Sequence, residues 1–228
     1  MIYTVIADYK KLSFEEATNT VQFSSLPPFL REYIKDPRNE EVRLSRLGGY
    51  LLLYHTVRFL FGKENFDVAF SENGKPAFAS GVPTEGLSFN LSHSGGMCAV
   101  TVSDGGEEVG VDLQERIDRD RVERLKERFM NYSLKDLDPT EPIVYLFGAF
   151  SLDGNCMFAE IPYRSLVKGD IKEEATDMWS LTEAILKCHG GGFCQAKEIM
   201  KELSGFASET VRFNYKGKLY SISTVTKK

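Results

Sequence analysis

The stretch LSFNLSHSGGMCAVTVS, residues 87–103, is the most informative part of the chain for its fold. It contains two strand-like runs, of which the second extends from Met97 to Val102. Between them FNLSHSGG, residues 89–96, places a His between two Ser and ends on a Gly pair. Glycines permit either a tight turn or a close approach of the backbone to a ligand. We predict two strands joined by a polar loop, because a core strand is not expected to be this polar.

The sequence before this stretch predicts alternating strands and helices. Residues 2–8 are expected to form an opening strand, and PPFLREYI, residues 27–34, a short helix that begins at proline. Residues 39–61 have the longest helical pattern, which Gly62 ends. Residues 68–80 predict a hairpin that turns at Asn73-Gly74, where both turn residues favour positive φ.

The sequence after this stretch repeats the alternation. We predict a buried strand at 107–114, helices at 118–130 and 176–188, a hairpin around Asp153-Gly154 and a last hairpin that turns at Lys216-Gly217. The fold class is therefore α/β (α+β). Two similar packed lobes are expected, residues 1–105 and residues 106–228, without a tether between them.

Composition and charge narrow the class of protein. The chain has 228 residues, of which 42% are hydrophobic, and a formal net charge of −5. The negative charge argues against a general nucleic-acid binder. No apolar run is long enough to span a bilayer, and the N-terminus lacks the features of a signal peptide. We therefore expect a cytoplasmic protein whose four cysteines, at positions 98, 156, 188 and 194, are reduced thiols.

Two polar patches suit an anionic ligand. Lys75 projects from the stiff turn GKP beside Pro76, and a lysine on a tight turn provides a point charge for phosphate. Ser92 and His93 can both donate hydrogen bonds to an anion. Each patch alone has a simpler explanation, since exposed lysines are common and a lone histidine often caps or fills a core.

A third patch has the residue types of a metal site. Asp112 ends the apolar strand VGV, and Gln114 lies two residues later on the same side. Glu183 and Lys187 are one helical turn apart in MWSLTEAILKCHGGGF. One or two carboxylates together with ligand phosphates are the usual ligands of Mg²⁺. A strand end and an ordinary surface ion pair are the structural alternatives.

The ordered set GKP, FNLSHSG, VGVDLQ and WSLTEAILK resembles the 4′-phosphopantetheinyl transferases of the surfactin-synthetase-activating type. The resemblance covers roughly residues 40–193. It implies a pseudo-twofold, two-lobed fold and a monomer with its own complete cleft. It also implies Mg²⁺-dependent transfer of the phosphopantetheine arm of coenzyme A to a serine of an apo acyl or peptidyl carrier protein, which releases adenosine 3′,5′-bisphosphate. No nucleic acid or membrane is implied as a partner.

The resemblance also implies a role for each candidate residue. Asp112 and Glu183 would hold Mg²⁺, with Gln114 as a third ligand, and Lys187 would approach the same phosphates. Glu183, directly or through a bound water, would take the proton of the carrier serine. The residues implied in binding coenzyme A are Lys75, Pro76, Ser92, His93, and Arg43 or Arg46 for the 3′-phosphate. The loop GGGF, residues 190–193, would lie near the carrier protein.

Three departures from the family pattern leave alternatives open. Gln114 replaces a second acidic residue, Thr182 replaces a lysine before the helix glutamate, and residues 139–176 form an additional segment. A non-catalytic relative that binds coenzyme A or a carrier protein is therefore a second hypothesis. A weaker third is a metal-binding interaction protein that uses Cys188, His189 and Cys194, although these lack a fourth ligand at normal zinc spacing.

Overall fold

The structure, a computed structural model, describes residues 1–79, 84–118, 120, 134, 137–170 and 174–227. The strands are β1 Ile2–Asp8, β2 Val68–Phe70, β3 Pro76–Phe78, β4 Ser88–Ser94, β5 Met97–Ser103, β6 Val109–Glu115, β7 Asp138–Pro139, β8 Ile143–Phe150, β9 Cys156–Glu160, β10 Val167–Lys168, β11 Phe206–Tyr215 and β12 Lys218–Lys227. The α-helices are α1 Phe14–Thr18, α2 Val21–Ser24, α3 Pro28–Lys35, α4 Glu40–Phe61, α5 Ala175–His189 and α6 Ala196–Ile199. Single 3-10 turns occupy Tyr9–Lys11, Tyr163–Ser165, Phe193–Gln195 and Leu203–Gly205. This mixture confirms the predicted fold class.

Two sheets form the centre of the molecule. The first has the strand order β4-β5-β1-β8-β9, and the second has the order β10-β11-β12-β6 with β7 beside β11. Their facing sides share one apolar cluster, which includes Ile6 and Ala99 from the first sheet and Val111 and Ile222 from the second. Burial of this surface favours the stacked arrangement, and it makes β4 and β6 neighbouring edge strands of the two sheets.

One long helix covers the outer side of each sheet. Helix α4 packs on the first sheet, where Leu51 joins Val5 and Val100 in a buried cluster. Helix α5 packs on the second sheet, where Ile185 joins Phe206 and Val225. The layers therefore run α4, first sheet, second sheet and α5. Within the described ranges, no helix combines the length and apolar composition needed to cross a bilayer.

The sheets cross the division predicted at residue 105. Strands β8 and β9 come from the second half of the chain, yet β8 pairs in parallel with β1 and extends the first sheet. The hairpin predicted around Asp153-Gly154 is confirmed, but it belongs with strands of residues 1–105. Sequence order alone therefore does not separate the two lobes.

Two local predictions were wrong. FNLSHSGG is not a loop, because residues through Ser94 belong to β4 and only Gly95 and Gly96 form the turn to β5. The β2–β3 hairpin does not have the predicted two-residue turn with positive φ at both Asn73 and Gly74. Five residues join the two strands, and of this pair only Gly74 has a positive φ. The helix predicted at 118–130 lies almost entirely outside the described residues. The predicted strand at 107–114 and helix at 176–188 are confirmed as β6 and α5.

Candidate active site

Side chains, rather than backbone pairing, join the edge strands β4 and β6. The N–H groups of Val111, Leu113 and Glu115 donate to Asn90 Oδ1, Ser92 Oγ and Ser94 Oγ, each at 3.0 Å. These acceptors lie on alternate residues of β4 and therefore on one side of the strand. The polar letters of FNLSHS thus satisfy backbone donors that would otherwise be unpaired at the edge of the second sheet.

Helix α5 lies against β6 at Gly110. A Cβ at this position would be 2.1 Å from the carbonyl oxygen of Ala184 and 2.5 Å from the amide nitrogen of Cys188. Ser180 Oγ also donates to the carbonyl of Asp112 at 2.8 Å. A residue without a side chain is therefore required two positions before Asp112, and the close packing brings Glu183 and Lys187 beside that aspartate.

Asp112, Glu183 and Lys187 form a charged cluster between β6 and α5. Lys187 Nζ donates to Asp112 Oδ1 at 2.6 Å and lies 3.5 Å from Glu183 Oε2. Burial and then the charge of Asp112 raise the pKa of Glu183 to about 7, while Lys187 opposes the rise. Burial lowers the pKa of Lys187, but the two carboxylates outweigh it and raise that pKa overall.

The two carboxylates suit a divalent cation. Asp112 Oδ2 is buried and receives no hydrogen bond from the part of the chain that the structure describes. A buried carboxylate oxygen without a donor is costly unless a cation or a proton meets it. Hard oxygen ligands of this kind fit Mg²⁺, which needs only one or two carboxylates when phosphates complete its shell.

The structure does not bring Gln114 into this cluster. Its side-chain amide instead donates to Ser94 Oγ at 3.2 Å and to the Glu115 carbonyl at 2.9 Å. Among the described residues, no group of three or more His, Cys, Asp or Glu side chains is placed to hold a metal. The cysteines of the third hypothesis contact backbone carbonyls, with Cys188 Sγ on Glu108 and Cys194 Sγ on Gly191.

A cleft of about 250 Å³ opens beside Glu183 and Lys187. Its walls are Asn73, Gly74, Lys75, Pro76, Asn90, Leu91, Glu183, Leu186, Lys187, Gly190, Gly192 and Phe193. The structure therefore brings the GKP turn, the charged helix face and the GGGF loop together around one cleft.

Lys75 is only 15% exposed, and it attaches the β2–β3 hairpin to the end of α5. Its Nζ donates to the carbonyl of Cys188 at 2.8 Å and forms an ion pair with Glu108. Asn73 Nδ2 adds a hydrogen bond of 3.1 Å to the carbonyl of Gly190. A cation at a helix C-terminus is favourable, since the last carbonyls have no partner within the helix.

The remaining predicted phosphate contacts lie outside the walls of this cleft. The guanidinium of Arg46 stacks on the ring of Tyr33 at 3.8 Å, and that of Arg43 lies 5.0 Å from the ring of Phe14. His93 is exposed, and its pKa is lowered by partial desolvation and by the nearby charge of Lys187. The structure therefore places His93 near the charged cluster but leaves both arginines in aromatic contacts.

Sequence reasoning missed three residues of the site. Asn90 lines the cleft, Ser180 fixes the backbone at Asp112, and Gly110 admits the helix. The alternation of polar residues along FNLSHS could have predicted that Asn90 lies on the same side of a strand as Ser92. Phe193 belongs to the GGGF loop, but its stacking on Trp179, with ring centroids 5.6 Å apart, was not predicted because the contact depends on the conformation of that loop.

Thr182, which replaces a lysine of the family pattern, faces the interior. It is buried, and its hydroxyl donates to the carbonyl of Met178 one turn earlier at 2.8 Å. A threonine that satisfies its hydroxyl within its own helix adds no charge to the cleft. Lys187 is consequently the one lysine of α5 beside the two carboxylates.

Comparison with known proteins finds relatives of a single kind. The chain is 42% identical over 97 residues to "4′-phosphopantetheinyl transferase AcpT" of Escherichia coli (strain K12). The matched region covers 42% of this chain and 43% of the relative. It is 34% identical over 154 residues to the protein of the same name from Salmonella typhi. This matched region covers 67% of this chain and 62% of the relative. The matches thus span less than two thirds of the length of these relatives. No family model matches the chain.

Proposed function

This chain belongs to the 4′-phosphopantetheinyl transferase superfamily, and from that premise we propose that it transfers phosphopantetheine from coenzyme A to a serine of an apo acyl or peptidyl carrier protein. The observation that carries the proposal is the cluster of Asp112, Glu183 and Lys187 beside a cleft. Two carboxylates and a lysine beside one cleft suit a pyrophosphate and the cation that accompanies it.

The reaction is a displacement at phosphorus. The hydroxyl oxygen of the carrier serine attacks the β-phosphorus of coenzyme A, and the bond from that phosphorus to the bridging oxygen breaks. Adenosine 3′,5′-bisphosphate leaves with the electron pair. Such steps depend mainly on positioning and on the stabilisation of charge.

Glu183 is the carboxyl best placed to take the serine proton. Its side chain is 22% exposed and lines the cleft, whereas that of Asp112 is only 4% exposed. A base must reach the proton that it removes, so accessibility assigns this role to Glu183. Asp112 holds Lys187 in place through its hydrogen bond of 2.6 Å.

Mg²⁺ would be held by Asp112 and Glu183 and would supply positive charge to the pyrophosphate. Lys187 adds a second positive charge beside the two carboxylates, and Lys75 adds another on the walls of the same cleft. Together these cations offset the charge that develops on the phosphoryl oxygens. The positions of Glu183, Lys187 and Lys75 on the cleft walls, and of Asp112 beside Lys187, support these proposed roles.

The further properties of the family extend the proposal. Coenzyme A is the proposed donor, the protein acts as a monomer with one complete cleft, and the reaction takes place in the cytoplasm. His93 and one arginine, Arg43 or Arg46, are proposed to meet the 3′-phosphate. The arginine that does so has to leave its aromatic partner, which a modest gain in charge-assisted hydrogen bonding can offset.

The intact mass of an apo carrier protein, measured after incubation with the protein, coenzyme A and Mg²⁺, tests the proposal. We expect a gain of one phosphopantetheine that a chelator prevents. Glu183→Gln keeps the size of the side chain and should lower the rate by about 10²–10⁴-fold, since it removes the base. Glu64→Gln is the matched control because it neutralises a carboxylate in an exposed ion pair with Arg58.

The same assay distinguishes the non-catalytic alternative. Coenzyme A binding without any mass gain on several carriers would favour a binding relative and would direct attention to Gln114 and Thr182. Full turnover by the Glu183→Gln variant would contradict the assigned base while leaving the reaction itself in place.

A further inference from the structure

We infer that Ser92 is a positioning residue, which orients Asp112 and Lys187, and that it does not contact the phosphates of coenzyme A. The inference rests on the proposed function. It assigns Ser92 of FNLSHS to contacts with other side chains of the protein and not with the ligand. Ser92 lies on β4, while the groups that it orients lie on β6 and α5. It is therefore the point at which the first sheet contacts the charged cluster.

The hydrogen-bonding capacity of Ser92 is used completely. A serine hydroxyl has one proton to donate and two lone pairs that accept. Ser92 Oγ accepts from the N–H of Leu113 and from Lys187 Nζ, each at 3.0 Å. Its proton has one remaining partner, Asp112 Oδ1, which is also at 3.0 Å. An anionic ligand needs donors, and Ser92 has none left to offer.

Burial supports the same assignment. Ser92 is 6% exposed and is absent from the walls of the 250 Å³ cleft, although Asn90 on the same side of β4 and Leu91 on the other side both line it. Alternate residues of β4 point to opposite sides, so the side that bears Ser92 faces β6. His93 points the other way and is exposed, which leaves His93 as the phosphate contact of this pair.

The consequence is a fixed orientation for the proposed metal ligand. Two hydrogen bonds, from Ser92 and Lys187, hold Asp112 Oδ1, while Oδ2 receives no hydrogen bond from the described residues. Groups that orient a metal ligand in this manner typically change metal affinity or activity by about 10–100-fold when they are lost. Removal of the Ser92 hydroxyl should therefore weaken metal binding more than coenzyme A binding.

Two binding measurements on the full chain test the inference without reference to turnover. Mn²⁺ affinity is measured by electron paramagnetic resonance, and coenzyme A affinity by calorimetry in the presence of a chelator. For Ser92→Ala we expect Mn²⁺ to bind about 10-fold more weakly or worse, with coenzyme A affinity within about twofold of wild type. Ser92→Thr retains the hydroxyl and should recover Mn²⁺ affinity.

Ser94→Ala is the matched control. It removes a hydrogen bond of the same type, from the N–H of Glu115 to a serine hydroxyl, but Ser94 does not contact Asp112 or Lys187. Its thermal midpoint should fall about as much as that of Ser92→Ala, while its Mn²⁺ affinity stays near that of wild type. A purely structural role for Ser92 would instead make the two variants alike in Mn²⁺ affinity.

Several outcomes would overturn the inference. A loss of coenzyme A affinity equal to or greater than the loss of Mn²⁺ affinity would show that Ser92 contacts phosphate. Unchanged Mn²⁺ affinity in Ser92→Ala, or no recovery in a Ser92→Thr variant that melts like wild type, would remove the positioning role. Wild-type protein that binds neither Mn²⁺ nor coenzyme A would instead contradict the proposed function and this inference with it.

Discussion

Replacing Gly110 with alanine should lower the stability of the protein and, in addition, displace the groups of the active site. The new Cβ would lie 2.1 Å from the carbonyl oxygen of Ala184 and 2.5 Å from the amide nitrogen of Cys188. Both atoms belong to the backbone of α5, so no side-chain rotation relieves the contact. Since non-bonded heavy atoms prefer separations of about 3.5 Å or more, the helix has to shift by about 1 Å.

The expected magnitude follows from that shift. Overpacking of this kind costs about 1–3 kcal/mol, which corresponds to a fall in Tm of about 2–12 °C for a chain of this size. Glu183 and Lys187 move with α5 while Asp112 stays on β6. A misplacement of about 1 Å in a positioned group can cost about 100-fold in rate, so kcat should fall by that order.

Gly48→Ala provides the control for this experiment. A Cβ there would lie 2.5 Å from Tyr9 Cβ, so the clash is comparable but is located on α4, away from the cleft. Both variants should lose stability in thermal denaturation, and only Gly110→Ala should lose carrier modification per folded molecule in the mass assay. Wild-type kcat in folded Gly110→Ala would refute the argument that contact between β6 and α5 sets the site.

Two further variants probe contacts around the site. Lys75→Met keeps the aliphatic stem of the side chain but removes its charge. It should weaken coenzyme A binding about 10-fold or more, as expected for the loss of a charged hydrogen bond. Wild-type affinity in calorimetry would restrict Lys75 to its role at the end of α5. Asp8→Asn weakens the buried contact in which Asp8 accepts from Lys216 Nζ at 2.9 Å and from the Tyr215 hydroxyl at 3.1 Å. Because Lys216 is 62% exposed, we expect only a small fall in the midpoint of urea titration, and an unchanged midpoint would show that this link between the sheets is dispensable.

Several elements were predictable from the sequence because their signals are local. Asn39 caps α4 by accepting from the N–H groups of Glu41 and Val42, and Gly62 ends the helix with a φ of 64°. The last hairpin turns through Lys216 and Gly217, which have φ values of 50° and 78°. Each of these signals acts within a few residues, so it operates before any tertiary contact forms.

The polar stretch FNLSHSGG was misread because its partners are distant in sequence. Asn90, Ser92 and Ser94 satisfy backbone N–H groups of β6 about twenty positions later, and nothing within the stretch itself reveals those donors. Strands β8 and β9 join the first sheet for a similar reason, since the parallel pairing of β1 with β8 connects residues more than 140 positions apart. Such pairings depend on the assembled core and not on local preference.

The sequence by itself determined the chemical types at the candidate site, which are two carboxylates, a lysine and a second lysine on a turn. Only the tertiary structure decided which of them meet. Contact between α5 and β6 at Gly110 places Glu183 and Lys187 beside Asp112, whereas the Gln114 amide turns to Ser94 instead. The physical reason is that charge and hydrogen-bonding capacity belong to single residues, while distances between them are set by how closely a helix and a strand can pack.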